Sequence, residues 1–337
     1  LTFMDVWDAM CRTIMSAGHR RGAMMATLRC DHPDIEAFIE AKQDPGRLRM
    51  FNLSVLVTDA FVQAVKDDKA WELLFGGRTY KSVQARELWD CIMRATYAYA
   101  EPGVIFIDRI NQRNNLRYCE TINSTNPCGE QPLPPYGACL LGSVNLARLV
   151  RNSFTADAAL DLNALRNLVT TAVRMLDNAI DISRFPLPEQ ENEARAKRRI
   201  GLGITGLADA LIFCRVRYGS DQAVALTHTW LAEVRRASYL ASVDLAKEKG
   251  AFPLFERKAF LASDGNVKLD DDVRTAIAKH GIRNALLTSI APTGTISIFA
   301  DNVSSGLEPV FAFTYRRHVN MPDGSRREEI VSDYAYR

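Results

Sequence analysis

The stretch "FNLSVLVTDAFVQAV" (residues 51–65) joins a strand-like half to a helix-like half through one threonine. The first half is rich in apolar and β-branched residues, which is typical of a buried strand. After Thr58 the apolar residues recur at helical spacing, and threonine is a favoured N-terminal cap. The stretch therefore predicts a strand that leads directly into a helix, the building unit of α/β proteins.

The same alternation continues on both sides and predicts an α/β barrel or a wound sheet of mainly parallel strands. A strand is expected within residues 20–30, followed by a helix with Asp31 as its cap and Pro33 in its first turn. The helix after Thr58 is expected to continue to Phe75. The other predicted elements are helices at 85–100, 165–183, 220–249 and 270–280, the last two ending at Gly250 and Gly281, and strands at 104–110, 285–291 and 309–315.

Composition indicates an ordinary globular chain. It has 337 residues, of which 47% are hydrophobic and 24% charged, and no apolar run is long enough to span a membrane. The 42 basic and 40 acidic residues are spread evenly, so no patch suits nucleic acid or a membrane surface. We therefore expect small-molecule partners.

The 7 cysteines are odd in number and irregularly spaced, which predicts reduced thiols and a cytoplasmic location. No C-x-x-C pair occurs and the histidines are scattered, so we expect no metal site. Cys11, Cys91 and Cys214 lie in apolar helical patterns and are expected to be buried.

The segment "GLGITG" (201–206) satisfies the G-x-G-x-x-G dinucleotide-binding pattern. A charged helical run precedes it where a strand is required, and no second strand follows. We therefore expect these glycines to allow close packing of a strand end and a helix start.

The loop "NPCGEQPLPPYGAC" (126–139) carries the clearest chemical pattern. In an extended backbone Asn126, Cys128 and Glu130 share one face, about 7 Å from end to end. A carboxylate can act as a base, an amide can orient hydroxyls, and a thiol can act as a nucleophile or hydrogen-atom carrier. A structural loop with an inward-facing cysteine fits these three residues about equally well.

Cys139 favours the chemical interpretation. The turn-rich spacer "PLPPYG" (132–137) can fold back and bring this second thiol toward Cys128. Hydrolytic cysteine enzymes need a histidine base, and none lies between His32 and His228 in the sequence.

The segment "APTGTIS" (291–297) predicts a phosphate site at the start of a helix. Gly294 permits close backbone approach, while Thr293, Thr295 and Ser297 place hydroxyls beside the amides of the first helical turn. An ordinary strand-to-helix turn with a threonine cap is the alternative.

Several of these segments together resemble the catalytic subunit of ribonucleotide reductases. The loop around Cys128 resembles the active-site finger loop, and its G-E-Q-P-L form is similar to the adenosylcobalamin-dependent class. Matching segments recur in the same order over nearly the whole chain: "RRGAMMATLRCDHPDIEAFIEAK", "FNLSVLVTDAF", "GVIFIDRIN", "RRIGLGITGLADAL" and "APTGTISIFADNVSSGLEPVFAFTYRR".

The resemblance implies a role for each residue of the loop. Cys128 would carry the thiyl radical that abstracts the ribose 3'-hydrogen, Glu130 would deprotonate the 3'-hydroxyl, and Asn126 would hold the hydroxyls in register. Cys139 would supply reducing equivalents, and the phosphates would bind Thr293, Gly294, Thr295, Ile296 and Ser297. Adenosylcobalamin would generate the radical.

The resemblance also implies the architecture: residues 1–337 would form one catalytic domain, the central part of a ten-stranded α/β barrel with the finger loop at its centre. The Cys128 sulfur would then lie deep in a closed cavity, close to a sugar whose phosphates bind residues 293–297. Relative to the family, chain would be missing at both ends, including a nucleotide effector site and the redox partner of Cys139. A thioredoxin-like reductant and a homodimer or complementing chain are expected. The alternatives are a nucleotide-binding fragment without catalysis and a thiol-redox protein that uses Cys128 and Cys139.

Overall fold

The computed structural model describes residues 1–16, 20–321 and 324–337. It divides into two compact units, unit 1 (Leu1–Pro135) and unit 2 (Tyr136–Arg337). No helix within the described ranges is both long and apolar enough to span a membrane.

Unit 1 is built on a three-stranded parallel sheet in the order β3-β4-β7. The middle strand, β4, is buried at every position except Asn52. The strands of the unit are β1 Met15–Ser16, β2 Arg20–Arg21, β3 Met24–Arg29, β4 Phe51–Val57, β5 Ala70–Phe75, β6 Arg78–Gln84, β7 Gly103–Phe106, β8 Ser124–Thr125 and β9 Pro132–Leu133. The helices are α1 Thr2–Thr13, α2 Ile35–Glu40, α3 Asp59–Lys66, α4 Ala85–Tyr99 and α5 Ile107–Arg113.

The junction of β4 and α3 confirms the βα unit predicted from residues 51–65. The Thr58 hydroxyl accepts the Phe61 amide at 3.1 Å and so caps the helix. Leu53, Val55 and Phe61 lie in one buried core with α2 and α4. The helix is held on the sheet by this apolar contact and begins where the cap requires.

Three local predictions in unit 1 are wrong, and the first is the length of the helix after Thr58. The helix after Thr58 stops at Lys66, and residues 70–75 form strand β5, paired antiparallel with β6. Asp68 at φ 53 breaks the helix, and Gly76 and Gly77, both at positive φ, close the hairpin.

The helix predicted from Asp31 begins later, at Ile35. The carboxylate of Asp31 accepts two hydrogen bonds from Arg29, at 2.9 and 2.6 Å, instead of capping the helix. The strand expected at 104–110 also ends early, because α5 begins at Ile107.

Unit 2 contains a parallel pair, β10 and β13, with Thr288 bridged to Leu202 on the other side of β13. Its strands are β10 Leu140–Asn145, β11 Val150–Arg151, β12 Ala159–Leu160, β13 Ile200–Thr205, β14 Thr314–Asn320 and β15 Arg326–Ser332. Its helices are α6 Leu162–Ile182, α7 Pro188–Lys197, α8 Leu207–Phe213, α9 Asp221–Lys249, α10 Arg257–Leu261, α11 Asp264–Val267, α12 Asp271–His280 and α13 Gly294–Phe299, with a 3-10 turn at Leu146–Leu149. Helices α9 and α12 end at Gly250 and Gly281, as predicted. The predicted strand at 285–291 is reduced to this single bridge, and the one at 309–315 begins only at Thr314.

Residues 201–205 of the "GLGITG" segment lie in a buried strand, β13, which begins at Ile200. A Cβ at Gly203 would lie 2.1 Å from the Ser289 carbonyl oxygen, so the glycine is needed for close approach of the two chains. Gly206, at φ 71, starts α8. The glycines serve packing, as expected, although the strand that they form was not foreseen.

Candidate active site

The loop around Cys128 is the tip of a short hairpin in unit 1. Strands β8 and β9 pair Ser124 with Leu133 and Thr125 with Pro132. At the tip, the Gly129 amide donates to the Asn126 carbonyl at 3.0 Å. Pro127 occupies the second position of this turn, and Gly129 has φ 83. Proline at this place fits a β-turn, because its ring presets the backbone angle that the turn requires.

Asn126 braces the tip with three of its own groups. Its amide donates to the Gln131 carbonyl at 3.2 Å, and its side-chain oxygen accepts the Gln131 amide at 2.9 Å. Its carbonyl closes the turn at Gly129. The expectation of an extended backbone from Asn126 to Glu130 is therefore wrong, because a proline followed two residues later by glycine favours a turn.

The turn leaves Cys128 exposed at the tip and Glu130 half-buried. An exposed thiol at a sharp turn can reach a bound molecule, whereas a buried thiol cannot. The interpretation of Cys128 as an inward-packed structural residue is wrong, and so is the expectation that its sulfur lies in a closed cavity.

Five of the other six cysteines are buried or half-buried, whereas Cys119 is exposed like Cys128. All seven lie among the described residues, and none is in a disulfide. Burial raises the pKa of the Cys30, Cys91 and Cys214 thiols, which disfavours their reactive thiolate form. Cys11 is buried as expected, while Cys91 and Cys214 are half-buried.

Cys139 belongs to unit 2, where it is half-buried and lies 3.7 Å from the Leu140 carbonyl oxygen. It directly precedes β10. Its approach to Cys128 remains a prediction.

The predicted phosphate segment forms the start of α13 in unit 2. Thr293 precedes the helix at φ 53, a rare conformation for a β-branched residue. Its hydroxyl lies 3.0 Å from that of Ser297 and accepts the Gly306 amide at 2.8 Å. Thr205, at the end of β13, adds a third buried hydroxyl, 3.2 Å from Thr293 and 2.8 Å from Ser297. Such a network can hold a strained backbone conformation in place.

The two buried hydroxyls therefore support the turn from inside and do not face solvent. Within residues 293–297, the exposed part is Gly294, Thr295 and Ile296. The first intrahelical bond is donated by the Ser297 amide to the Thr293 carbonyl, at 2.8 Å, so the amides of residues 294–296 precede it. A groove of about 530 Å³ adjoins the segment and is lined by Gly294, Ser297, Ser304, Glu308, Arg317 and Asp333, among others.

A buried pair of carboxyl groups lies behind this groove. Asp209 and Asp333 are 0% and 3% exposed, and both accept the Ala335 amide, at 3.1 and 3.0 Å. Asp209 also accepts the Ser304 amide at 2.6 Å. Burial and the adjacent Asp209 charge raise the pKa of Asp333 to about 6. The pair therefore holds a proton in mildly acidic solution and fixes the loop that carries Ser304.

Replacing Asp333 by asparagine should remove a pH-dependent loss of stability. Between pH 4 and pH 6 the folded protein binds a proton at Asp333 that the unfolded chain releases, so stability falls as pH rises through this range. The free energy of unfolding of Asp333→Asn, measured relative to that of the parent, should therefore increase on the order of 2 kcal/mol between pH 4 and pH 7.5. Urea unfolding at both values measures this.

Asp272→Asn is the control for that measurement. Arg236 lowers the pKa of Asp272 to about 2, so this carboxylate is already ionised across the whole range. The free energy of unfolding of Asp272→Asn, relative to the parent, should not increase between these two pH values. An equal increase in both variants would contradict the assignment of the pH dependence to Asp333.

Sequence reasoning missed Asn52, Thr205, Asp209 and Asp333. Thr205 lies in a motif considered only for dinucleotide binding, and the two aspartates are separated by more than a hundred positions. The one available signal was Asn52, whose amide side chain is unusual in a strand that is apolar apart from Ser54.

Among the residues that the structure describes, no three His, Cys, Asp or Glu side chains are grouped closely enough to bind a metal ion. His19 lies outside those residues.

Comparison with known proteins decides the family. A family model described as "Ribonucleotide reductase, barrel domain" matches residues 1–331. The chain belongs to this family. Its mixed α/β content agrees with membership.

Several curated ribonucleotide reductases are similar to the chain. It is 41% identical over 322 residues to the vitamin B12-dependent ribonucleoside-diphosphate reductase of Mycobacterium tuberculosis strain H37Rv, covering 95% of this chain and 42% of that protein. The protein of the same name from Thermoplasma acidophilum is 40% identical over 325 residues, covering 95% and 39%. The ribonucleoside-diphosphate reductase large subunit of vaccinia virus is 28% identical over 362 residues, covering 95% and 46%. The chain thus spans about two fifths of the length of the first two relatives.

Proposed function

We propose that this chain is the catalytic barrel of an adenosylcobalamin-dependent ribonucleotide reductase. The observation that carries the proposal is the family match over residues 1–331, which includes the braced hairpin with Cys128 at its tip. We further propose that residues 1–337 belong to one ten-stranded barrel domain, with the hairpin as its central finger loop. Cytoplasmic action is part of the same proposal.

The chemistry of the hairpin follows from its three functional groups. A radical on the Cys128 sulfur takes the hydrogen atom from C3' of the ribose, so an S–H bond forms and a C–H bond breaks. Glu130 takes the proton of the 3'-hydroxyl, and this helps the 2'-hydroxyl to leave as water. The side-chain oxygen of Asn126 is committed to the turn, so its NH₂ group is the part that can hold a substrate hydroxyl. The hydrogen atom then returns to C3', the proton held by Glu130 returns to the 3'-oxygen, and the radical returns to Cys128.

Cys139 completes the balance of the reaction. Cys139 and a second thiol together supply two electrons and two protons, and they end as a disulfide. Ribonucleotide plus dithiol thus gives 2'-deoxyribonucleotide, disulfide and water. A thioredoxin-like reductant restores the dithiol.

Binding of the substrate phosphates is assigned to Thr293, Gly294, Thr295, Ile296 and Ser297. The exposed amides of residues 294–296 can donate to phosphate oxygens. The hydroxyls of Thr293 and Ser297 contribute indirectly, because they hold the turn in its strained shape.

The cofactor proposal fits the groups that this chain offers. Adenosylcobalamin brings its cobalt inside its own ring, so the cofactor does not require a cluster of protein metal ligands. When bound, it supplies the radical. The residue of this chain on which it would act is Cys128, whose exposure allows delivery from a separate group.

The length of the match favours one alternative. Since the chain spans only about two fifths of its relatives, it could bind nucleotide phosphates and need a complementing chain for catalysis. Homodimerisation, an effector site and the reductant would then depend on the added segments.

A chimera distinguishes these two functions. Residues 1–331 would replace the matching segment of the Mycobacterium tuberculosis relative, and the product would be assayed with adenosylcobalamin, dithiothreitol and ribonucleoside diphosphate. Formation of deoxynucleotide supports the reductase. Nucleotide binding without product, while the unmodified relative is active, favours the binding fragment.

Cys139→Ser should separate radical formation from sustained reduction. Without this thiol the hydrogen atom can still be abstracted, but the substrate cannot receive both electrons. In the chimera we expect less than about one deoxynucleotide per polypeptide, compared with many for the parent, and an organic radical signal that persists. Full turnover by Cys139→Ser would contradict its role as an electron donor.

A further inference from the structure

One side chain of the parallel sheet contacts the turn that carries Cys128. The Asn52 amide nitrogen donates to the Pro127 carbonyl oxygen at 2.9 Å. Asn52 is the one exposed position of β4, whose other six residues are buried. Because this side chain faces away from the core, its contact with the hairpin is the interaction that the structure shows for it.

A second contact supports the base of the same hairpin. The Thr27 hydroxyl donates to the Asn123 carbonyl at 3.0 Å. The register of β3 and β4 places Met25 opposite Asn52 and Thr27 opposite Ser54. Residues 52 and 54 point to one face of the sheet, as do residues 25 and 27, so the hairpin lies along that face. Asn52 supports the tip, and Thr27 supports the base.

The bond at the tip controls the direction of the Cys128 side chain. The Pro127 carbonyl belongs to the planar peptide that joins Pro127 to Cys128. Holding this oxygen therefore holds the plane that contains the Cys128 Cα, and so restricts the directions in which Sγ can project. Proline has no amide hydrogen, so the carbonyl is the only polar backbone group by which Pro127 can be held.

We propose that Asn52 is a positioning residue that sets the orientation of the Cys128 thiol through the Pro127 carbonyl. Its effect on catalysis rests on the proposed function, whereas its effect on the turn does not. One neutral hydrogen bond contributes little to stability. A small displacement of a reacting atom, in contrast, can lower a rate about a hundredfold.

Asn52→Asp and Asn52→Ala test the proposal on the whole chain. The aspartate keeps the shape but replaces the donor by an acceptor, so it should repel the carbonyl. We expect hydrogen exchange at the Gly129 and Gln131 amides to accelerate about fivefold or more in both variants. The thermal unfolding midpoint should stay within about 2 °C of the parent. Thr27→Val, which removes the contact at the base, should leave exchange at these two amides near the parental rate.

The same variants in the chimera test the catalytic consequence. We expect kcat to fall between about tenfold and a hundredfold in both Asn52 variants, with KM within about twofold, and kcat near the parental value in Thr27→Val. A parental kcat in Asn52→Asp would overturn the proposal, and so would unchanged exchange in Asn52→Ala. If the unmodified chimera is inactive, the proposed function fails, and exchange alone then decides whether Asn52 holds the turn.

Discussion

Cys128→Ser should abolish deoxynucleotide formation in the chimera. Serine retains the size and polarity of the side chain, but its O–H bond is much stronger than the S–H bond of cysteine. A radical cannot reside on the serine oxygen at a cost comparable with that on sulfur. We therefore expect turnover to fall on the order of 10⁴-fold or more, as when a catalytic residue is removed entirely. Product measured by chromatography gives the rate.

Cys119→Ser is the matched control for this result. Cys119 is also exposed, lies nine positions before Cys128, and is outside the hairpin. It has no role in the proposed reaction, so its replacement should leave turnover within about twofold of the parent. Loss of activity in both variants, or in neither, would contradict the assignment of the radical to Cys128.

Gly203→Ala should be the most damaging single methyl addition in unit 2. The new Cβ would lie 2.1 Å from the Ser289 carbonyl oxygen and 3.2 Å from its carbon, and neither atom can move without displacing the backbone. Strand β13 is buried at every position, so the conflict cannot be relieved toward solvent. We expect a loss of about 3 kcal/mol or more in the free energy of unfolding, measured by urea denaturation.

Gly142→Ala provides the comparison on the paired strand. Gly142 lies opposite Leu202 in the β10–β13 pair, and its added Cβ would meet the Leu176 Cδ1 at 3.3 Å. The end of a leucine side chain can rotate away, so the cost should stay below about 1 kcal/mol. Equal losses in the two variants would show that the close approach of residue 203 to Ser289 does not govern packing here.

The parts of the fold that could be predicted are those with strong local signals. Thr58 stands between an apolar strand and an amphipathic helix, and both form around it as expected. Gly250 ends the longest helix for the same local reason. Strand β13 was missed because its two glycines and the charged helical run before it argue against a strand, and its burial depends on partners distant in sequence.

In the candidate site, too, the residues with a local sequence signal could be predicted, and those that depend on distant partners could not. Cys128, Glu130 and Asn126 could be found because they lie close together in sequence. Their backbone was mispredicted, since alternation along an extended chain and a proline-glycine turn both fit the same letters. The supports of the site were not predictable, because Asn52 and Pro127 are separated by 75 positions, and Thr205 and Thr293 by 88.

The most direct test of the central claim is the identity of the radical that forms when the chimera is mixed with adenosylcobalamin and substrate. Electron paramagnetic resonance should show an organic radical whose spectrum narrows when the protein contains cysteine deuterated at Cβ, because unpaired spin on sulfur couples to the Cβ hydrogens. The account predicts that this signal is present in the parent and lost in Cys128→Ser. The same narrowing signal in Cys128→Ser, with deoxynucleotide still forming, would contradict it.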